Sequence, residues 1–147
     1  MDSVISKDRK LHIATGASRW AKLWKNQEVL WSDFAKRLET ASETGETPAQ
    51  YQHMTKGQKD RAKDVGGFVG GYLDGGRRLQ SRVKFRSLVT LDADTPAKSF
   101  KDDLGRVLAG RAYVLYSTHS HTEEVPRYRV LVPLDTDAEP DAYQAVA

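Results

Sequence analysis

The sequence predicts a mixed domain of helices and strands, of the α/β or α+β class. Three short apolar runs lie between residues 87 and 134, and an amphipathic stretch of helical spacing separates the first two. With 147 residues, 39% of them hydrophobic, the chain is long enough for one globular domain with its own core. We therefore expect a single domain over residues 1–147.

The composition excludes several classes of protein. Disulfides and Cys-bound zinc are excluded because the sequence has no Cys. A formal net charge of +3 permits a polyanionic partner without requiring one. No apolar run approaches the roughly 20 residues of a membrane-spanning helix, and the N-terminus lacks the apolar core of a signal peptide. We expect a soluble cytoplasmic protein without a membrane partner.

The first part of the chain predicts a strand followed by two helices. Residues 10–15 have the pattern of a short strand, and residues 32–42 have helical spacing with Ser32 as N-cap. A polar stretch over residues 42–50 is typical of an exposed loop. Residues 54–63 predict a second short helix, which Thr55 caps.

Basic and aromatic residues alternate after the first strand. Arg19, Lys22 and Lys25 are interleaved with Trp20 and Trp24, a pattern that suits nucleic acid because cations meet phosphates and rings stack on bases. Alternatively, the two Trp side chains lie one helical turn apart in the core. Together with a later basic run, the pattern gives these candidate nucleic-acid-binding residues: Arg19, Lys22, Trp24, Arg77 and Arg78.

Residues 65–78 contain six of the eleven glycines, in three pairs. Glycine amides can wrap a phosphate, but neither the P-loop nor the dinucleotide-binding fingerprint is present. The favoured interpretation is close packing of small residues around Phe68 and Tyr72, with a turn at Gly75 and Gly76.

The second part predicts strand, helix, strand, strand, helix: residues 88–91, 96–108, 113–116, 127–134 and a helix that begins at Pro140. The first three elements imply a crossover between two parallel strands. Asp92, Asp94, Ser117 and His119 then lie at the carboxyl ends of strands, where sites in such sheets gather.

These residues suit phosphate chemistry. Asp92 and Asp94 are two apart on a strand, so both carboxylates point to one face and can hold Mg²⁺ or Mn²⁺. Ser117 and His119 can then hydrogen-bond the phosphates of a nucleotide. Arg127 and Arg129 share one strand face and can neutralise the phosphates, although alternating polar residues also commonly form a solvated face. A weaker alternative is a metallohydrolase centre with four ligands: Asp92, Asp94, His119 and His121.

The segments LVTLDAD, YSTHSHT and PRYRVLVPL resemble the primase-polymerase domain of the archaeo-eukaryotic primase superfamily, in the form that phages, plasmids and integrative elements fuse to a helicase. The acidic-pair motif of that superfamily is matched by residues 91–94, and its Ser-x-His motif by residues 117–119. The upstream segments KLHIATGASR, WKNQ, WSDF and KDVGGFVGGYLDGGRR are similar to the same mobile-element subgroup, so the resemblance covers nearly the whole chain.

The resemblance implies a primase-type palm related to the RNA-recognition-motif sheet, with an N-terminal αβ extension over residues 1–86 and the motifs in residues 87–147. It implies that Asp92 and Asp94 bind the catalytic metal and that His119, also catalytic, contacts the incoming nucleoside triphosphate. The implied partners are a single-stranded DNA template and a helicase domain in a longer chain.

One motif of the superfamily does not appear. Its third Asp would lie on a strand beyond the helix that starts at Pro140, which leaves Asp135 or Asp137 as stand-ins and a palm that is incomplete at its C-terminus. Two functions therefore remain open. The first is a nucleotidyltransferase of the primase-polymerase type, and the second is a truncated, non-catalytic member that binds nucleic acid or a protein target as a decoy or inhibitor.

Overall fold

A computed structural model of the chain describes residues 8–40 and 44–146. It confirms the α+β class. The elements are, in chain order, β1 (Lys10–Gly16), β2 (Lys25–Leu30), α1 (Trp31–Leu38), α2 (Pro48–Gln52), α3 (Lys56–Ala62), β3 (Gly67–Val69), β4 (Gly71–Leu73), β5 (Val83–Asp94), α4 (Phe100–Val107), β6 (Val114–Ser117), β7 (Arg127–Ala138) and α5 (Pro140–Val146).

The strands form two sheets in which every neighbouring pair is antiparallel. The first sheet has the order β2-β1-β3, and the second has the order β4-β5-β7-β6. β5 and β6 are therefore parallel to each other, connected through α4, and separated by β7. This is a split βαβ unit. β5 and β6 are not neighbours, because β7 lies between them.

The main core lies between the first sheet with α1 and one face of the second sheet. Leu11 and Ile13 of β1, Phe34 of α1, Leu88 of β5 and Leu131 of β7 are buried together. The opposite face of the second sheet carries Tyr128, on which Phe100 of α4 stacks with the ring centroids 6.1 Å apart. None of the helices in the described parts of the chain is long and apolar enough to cross a membrane.

The start of α1 differs from the sequence prediction. Ser32 is not the N-cap, since α1 begins at Trp31 and Leu30 precedes it without a capping side chain. Instead, the backbone N–H of Ser32 donates to the carboxylate of Asp8 at 3.1 Å. A carboxylate that is distant in sequence therefore accepts a hydrogen bond from a backbone N–H in the first turn of α1. The helix ends at Leu38, and part of its predicted C-terminal end falls on residues 41–43, outside the described residues.

The region after α1 contains more structure than the sequence indicated. The predicted loop at residues 42–50 includes the start of α2, where Thr47 and Gln50 form a capping box. The predicted helix at residues 54–63 is confirmed as α3, with a capping box formed by Thr55 and Gln58. β2 was not predicted, because KNQEVL has only two apolar residues.

The glycine-rich segment confirms the packing interpretation. Residues 65–78 form β3, β4 and a turn, and Gly70 and Gly71 are buried. A Cβ atom at Gly71 would overlap the carbonyl oxygen of Phe85, and one at Gly70 would overlap the side chain of Leu88. The turn holds Gly75 at φ +66°, a conformation that side chains rarely adopt.

Two further predictions need correction. α4 begins at Phe100 rather than at Pro96, and Val107 at its end is 76% exposed. β7 runs on to Ala138 rather than ending at residue 134, so Asp135 and Asp137 lie within the strand.

Candidate metal and nucleotide site

Two acid–arginine pairs lie side by side near the end of the second sheet. Asp92 of β5 is opposite Arg129 of β7, and Asp94 is opposite Arg127. Directly opposite residues of an antiparallel pair point to the same face, so these four side chains form one surface, which we call the acid–arginine face. The prediction that Asp92 and Asp94 share a face agrees with this register, as does the same prediction for Arg127 and Arg129.

The two pairs differ in strength. Arg129 holds Asp92 with two hydrogen bonds, from Nε to Oδ1 at 2.6 Å and from Nη2 to Oδ2 at 3.3 Å. Arg127 Nη1 lies 3.7 Å from Asp94 Oδ1, an ion pair without a short hydrogen bond. The Asp92 and Asp94 side chains are 56% and 71% exposed, so both carboxylates are open to a ligand from solvent.

Tyr116 of β6 completes this face, and no pattern in the sequence indicated its role there. It lies opposite Arg129 on β7, on the side away from Asp92. The hydrogen bonds that Arg129 donates to Asp92 raise the pKa of Arg129, against the opposing effect of burial. Burial raises the pKa of Tyr116, and the nearby Arg129 charge opposes that shift. Arg129 is thus a cation held between a carboxylate and a half-buried phenol.

Ser117 and His119 do not join the acid–arginine face. Ser117 is opposite Tyr128, whose ring packs against α4, so Ser117 points to the other side of the sheet. His119 Nε2 lies 2.9 Å from Thr44 Oγ1 and 3.5 Å from Glu46 Oε1, in the segment between α1 and α2.

The surroundings of His119 form a small pocket of about 170 Å³. The ring of Tyr51 packs edge-on against His119 at 4.8 Å, and its hydroxyl is 2.9 Å from Ser120 Oγ. The Thr44 hydroxyl, assisted by the imidazole of His119, lowers the pKa of Glu46. The Thr44 hydroxyl and, farther away, the Glu46 carboxylate therefore already face the Nε2 atom of His119, the residue that was predicted to contact a triphosphate.

The four-ligand metallohydrolase centre is not assembled. His121 Nδ1 accepts a hydrogen bond from the backbone N–H of Arg127 at 3.0 Å, and its ring lies 5.1 Å from that of Tyr128. Across residues 8–40 and 44–146, no group of three or more His, Asp or Glu side chains could hold a metal ion. Any metal on the acid–arginine face would depend on two carboxylates and on ligands from its substrate.

Asp135 and Asp137 cannot act as the third carboxylate of this site. The register pairs Ala138 with Arg86 and Pro133 with Leu88, so both acids lie at the far end of β7 from Asp92. Asp137 instead binds Arg9 and accepts a hydrogen bond from Ser87 Oγ at 2.6 Å. That stand-in prediction is wrong.

The predicted nucleic-acid-binding residues form a separate surface. The backbone N–H of Trp24 donates to Gly76 O at 2.7 Å, which brings residues 17–24 beside Arg77 and Arg78. Trp24 itself is only 6% exposed, and the Arg78 guanidinium lies over its ring at 5.2 Å. Trp24 is therefore a core residue and its predicted role in base stacking is corrected, whereas its neighbour Trp20 is 75% exposed because residues 17–24 form turns rather than a helix.

The fold and the site define a class: an α+β domain whose split βαβ sheet presents paired acids and arginines on one face. The whole chain, residues 1–147, matches the VapE N-terminal domain family, and the protein belongs to that family. Membership supports a primase-like domain associated with mobile genetic elements. Neither the curated proteins nor the solved structures gave a match.

Proposed function

We propose that this primase-like domain binds a nucleoside triphosphate together with Mg²⁺ or Mn²⁺ on the acid–arginine face and catalyses nucleotidyl transfer on a single-stranded DNA template. The observation that carries the proposal is the alternation of charge on that face. Two carboxylates from β5 lie directly opposite two guanidinium groups from β7, and all four are reachable from solvent.

The donor set fits one class of metal site. Mg²⁺ is commonly bound by one or two carboxylates together with substrate phosphates and water, rather than by a cage of protein ligands. Asp92 and Asp94 supply those two carboxylates, and hard oxygen donors favour Mg²⁺ or Mn²⁺ over zinc. When bound, such an ion supplies charge stabilisation for the oxygens of a phosphoryl transfer.

The arginines must change partners for this to occur. Arg129 and Arg127 neutralise the acids in the structure, and an exposed ion pair of this kind stabilises a fold by only about 0–1 kcal/mol, so release costs little. Once released, the two guanidinium groups can bind phosphate oxygens with paired hydrogen bonds. The two carboxylates then bind the metal ion, and the two arginines bind the phosphates of the same nucleotide.

This exchange predicts that metal and nucleotide bind together better than either binds alone. Metal alone meets two guanidinium groups that compete for the carboxylates, and nucleotide alone meets two carboxylates that repel its phosphates. His119 Nε2 can reach a phosphate only after its contacts with Thr44 and Glu46 open. Asp92 and Asp94 are thus the metal-binding residues of the proposal, and Arg127, Arg129 and His119 bind the triphosphate.

The test measures binding of a fluorescent nucleoside triphosphate with and without Mn²⁺, and then primer synthesis on single-stranded DNA. We expect the Asp92→Asn, Asp94→Asn double variant to lose the metal-dependent gain in affinity and to make no primers. The matched control is Asp102→Asn, an exposed acid on α4 that should behave as the parent. Parental binding and primer synthesis by the double variant would show that the assignment is wrong.

A second function is favoured by a specific observation. Both carboxylates are already engaged by arginines, and the described residues contain no third acid beside them. A non-catalytic domain that binds nucleic acid or a protein target fits this arrangement. It predicts no primer synthesis by the parent protein and a binding activity that the Asp92→Asn, Asp94→Asn change leaves intact.

A further inference from the structure

We infer that a second surface, distinct from the acid–arginine face, binds single-stranded nucleic acid by stacking an unpaired base on Trp20. We call it the Trp20 surface, and its residues are Arg19, Trp20, Lys22, Leu23, Arg77 and Arg78. The inference goes beyond the proposed function, because it requires neither metal nor nucleoside triphosphate.

The loop that presents Trp20 is fixed by hydrogen bonds on both sides. The carboxylate of Asp64 accepts from Ser18 Oγ at 2.7 Å and from the backbone N–H of Arg19 at 2.9 Å. On the other side, the indole N–H of Trp24 donates to Ala21 O at 3.1 Å, and its backbone N–H donates to Gly76. A fixed loop loses little conformational entropy when a ligand binds.

This fixed loop exposes large apolar side chains to solvent. Trp20 is 75% exposed and Leu23 is 71% exposed, whereas Trp24 and Trp31 are 6% and 3% exposed. The Arg19 guanidinium lies 4.7 Å from the centre of the Trp20 ring, so a cation and an aromatic ring are already stacked. Rings and guanidinium planes of this kind are what unpaired bases stack on, without regard to base identity.

The charge around Trp20 favours a polyanion over an apolar protein partner. Arg19 has one long ion pair with Asp60, at 3.8 Å, and Asp74 is engaged by Arg82 at 3.5 Å. Lys22, Arg77 and Arg78 form no ion pair with any described residue. Unpaired cations beside an exposed ring suit phosphates that flank a stacked base.

The Trp20 surface lies at the opposite end of the second sheet from the acid–arginine face. Residues 76–78 follow β4, which pairs with the first residues of β5, while Asp92 and Asp94 are among its last. β5, with 12 residues at about 3.3 Å per residue, is roughly 35 Å long, so the two surfaces lie at opposite ends of a long strand. The two activities can therefore be removed independently.

The test measures fluorescence anisotropy of labelled oligothymidylate and oligouridylate in EDTA, each longer than the roughly 4 to 16 nucleotides that a single-strand site covers. We expect Trp20→Ala to weaken binding of at least one of them by about ten-fold, and Trp20→Phe to weaken it less. The control is Val107→Ala, which removes an equally exposed apolar side chain from α4 and should have no effect.

Salt dependence tests the charged part of the surface. The Lys22→Ala, Arg77→Ala double variant should reduce the slope of log affinity against log salt by about 1.4, since each lost phosphate contact removes about 0.7 for a single strand. Its matched control is Lys36→Ala, Lys98→Ala, which removes two exposed lysines elsewhere. Unchanged affinity in Trp20→Ala, or no binding of either oligonucleotide by the parent, overturns the inference.

The same measurements distinguish a failure of the proposed function from a failure of this inference. Loss of triphosphate binding in Asp92→Asn, Asp94→Asn with parental oligonucleotide affinity supports both assignments. Absence of triphosphate binding in the parent, with Trp20-dependent oligonucleotide binding retained, refutes the proposed function and leaves this inference standing.

Discussion

The two ends of β5 and β7 carry similar residues in different surroundings. At one end, Ser87 and Asp137 meet Arg9, and Ser87 is 0% exposed. At the other end, Arg129 meets Asp92, whose side chain is 56% exposed. Both ends pair an aspartate with an arginine from another part of the chain, yet only the first connects the N-terminal segment to the second sheet.

The difference between them is how completely each polar group is satisfied by the protein itself. Ser87 Oγ donates to Asp137 and accepts from the backbone N–H of His12 at 2.9 Å, while Arg9 also donates to the carbonyl oxygen of Leu134 at 2.5 Å. We call this group the Ser87 clamp. A buried polar group without a hydrogen-bond partner destabilises a fold, so we expect the Ser87 clamp to contribute to stability. The acid–arginine face is exposed, so its polar groups are available for a ligand.

The largest effect on stability is expected from Ser87→Ala. Loss of the hydroxyl leaves the partly buried N–H of His12 without its acceptor and removes a donor from Asp137, so the free energy of unfolding should fall by about 1–3 kcal/mol. Urea denaturation followed by circular dichroism measures this change. Ser81→Ala, at an exposed position, is the control. A loss no greater than that of the control would mean that the clamp is not structural.

A smaller effect is expected from Arg129→Gln on the acid–arginine face. The ion pair is exposed, so its removal should lower the free energy of unfolding by less than about 1 kcal/mol. The same denaturation experiment applies, with Arg106→Gln as a control that removes another exposed pair. A loss as large as that of Ser87→Ala would erase the contrast between the two ends and assign Arg129 a structural role.

The smallest effect is expected on the pKa of Glu46, which lies beside His119. The Thr44 hydroxyl is the main reason that the pKa of Glu46 lies below its ordinary value of 4.5. Because this folded-state pKa is lowered, the stabilising contribution of the carboxylate is present above the ordinary value and is lost as the pH falls through the lowered one.

We expect Thr44→Val to raise the pKa of Glu46 toward the ordinary value, with the fold unchanged. A carbon-detected NMR titration of the Glu46 carboxyl group measures the shift. Thr40→Val, in the same part of the chain, serves as the control. An identical titration curve in the Thr44 variant would mean that the hydroxyl does not hold this carboxylate against His119.

Local patterns predicted the parts of the structure that depend on near neighbours. A side-chain period of two along β5 placed Asp92 and Asp94 on one face. The cap at Thr55 and the helix start at Pro140 were also predicted, because a cap or a first turn involves residues only three or four apart. The glycine pairs indicated close packing, because glycine lacks the Cβ atom that would prevent it.

The remaining features depend on contacts between distant parts of the chain. The insertion of β7 between β5 and β6 pairs Arg129 with Asp92, sends Ser117 to the opposite face and moves Asp137 to the far end. Two other features likewise arise from packing across the fold. One is the contact of His119 with Glu46, and the other is the burial of Trp24 beside an exposed Trp20. The sequence alone determined which chemical groups are present and how they alternate, but only the tertiary structure decided which of them meet, because strand order and burial are set by contacts that no local pattern encodes.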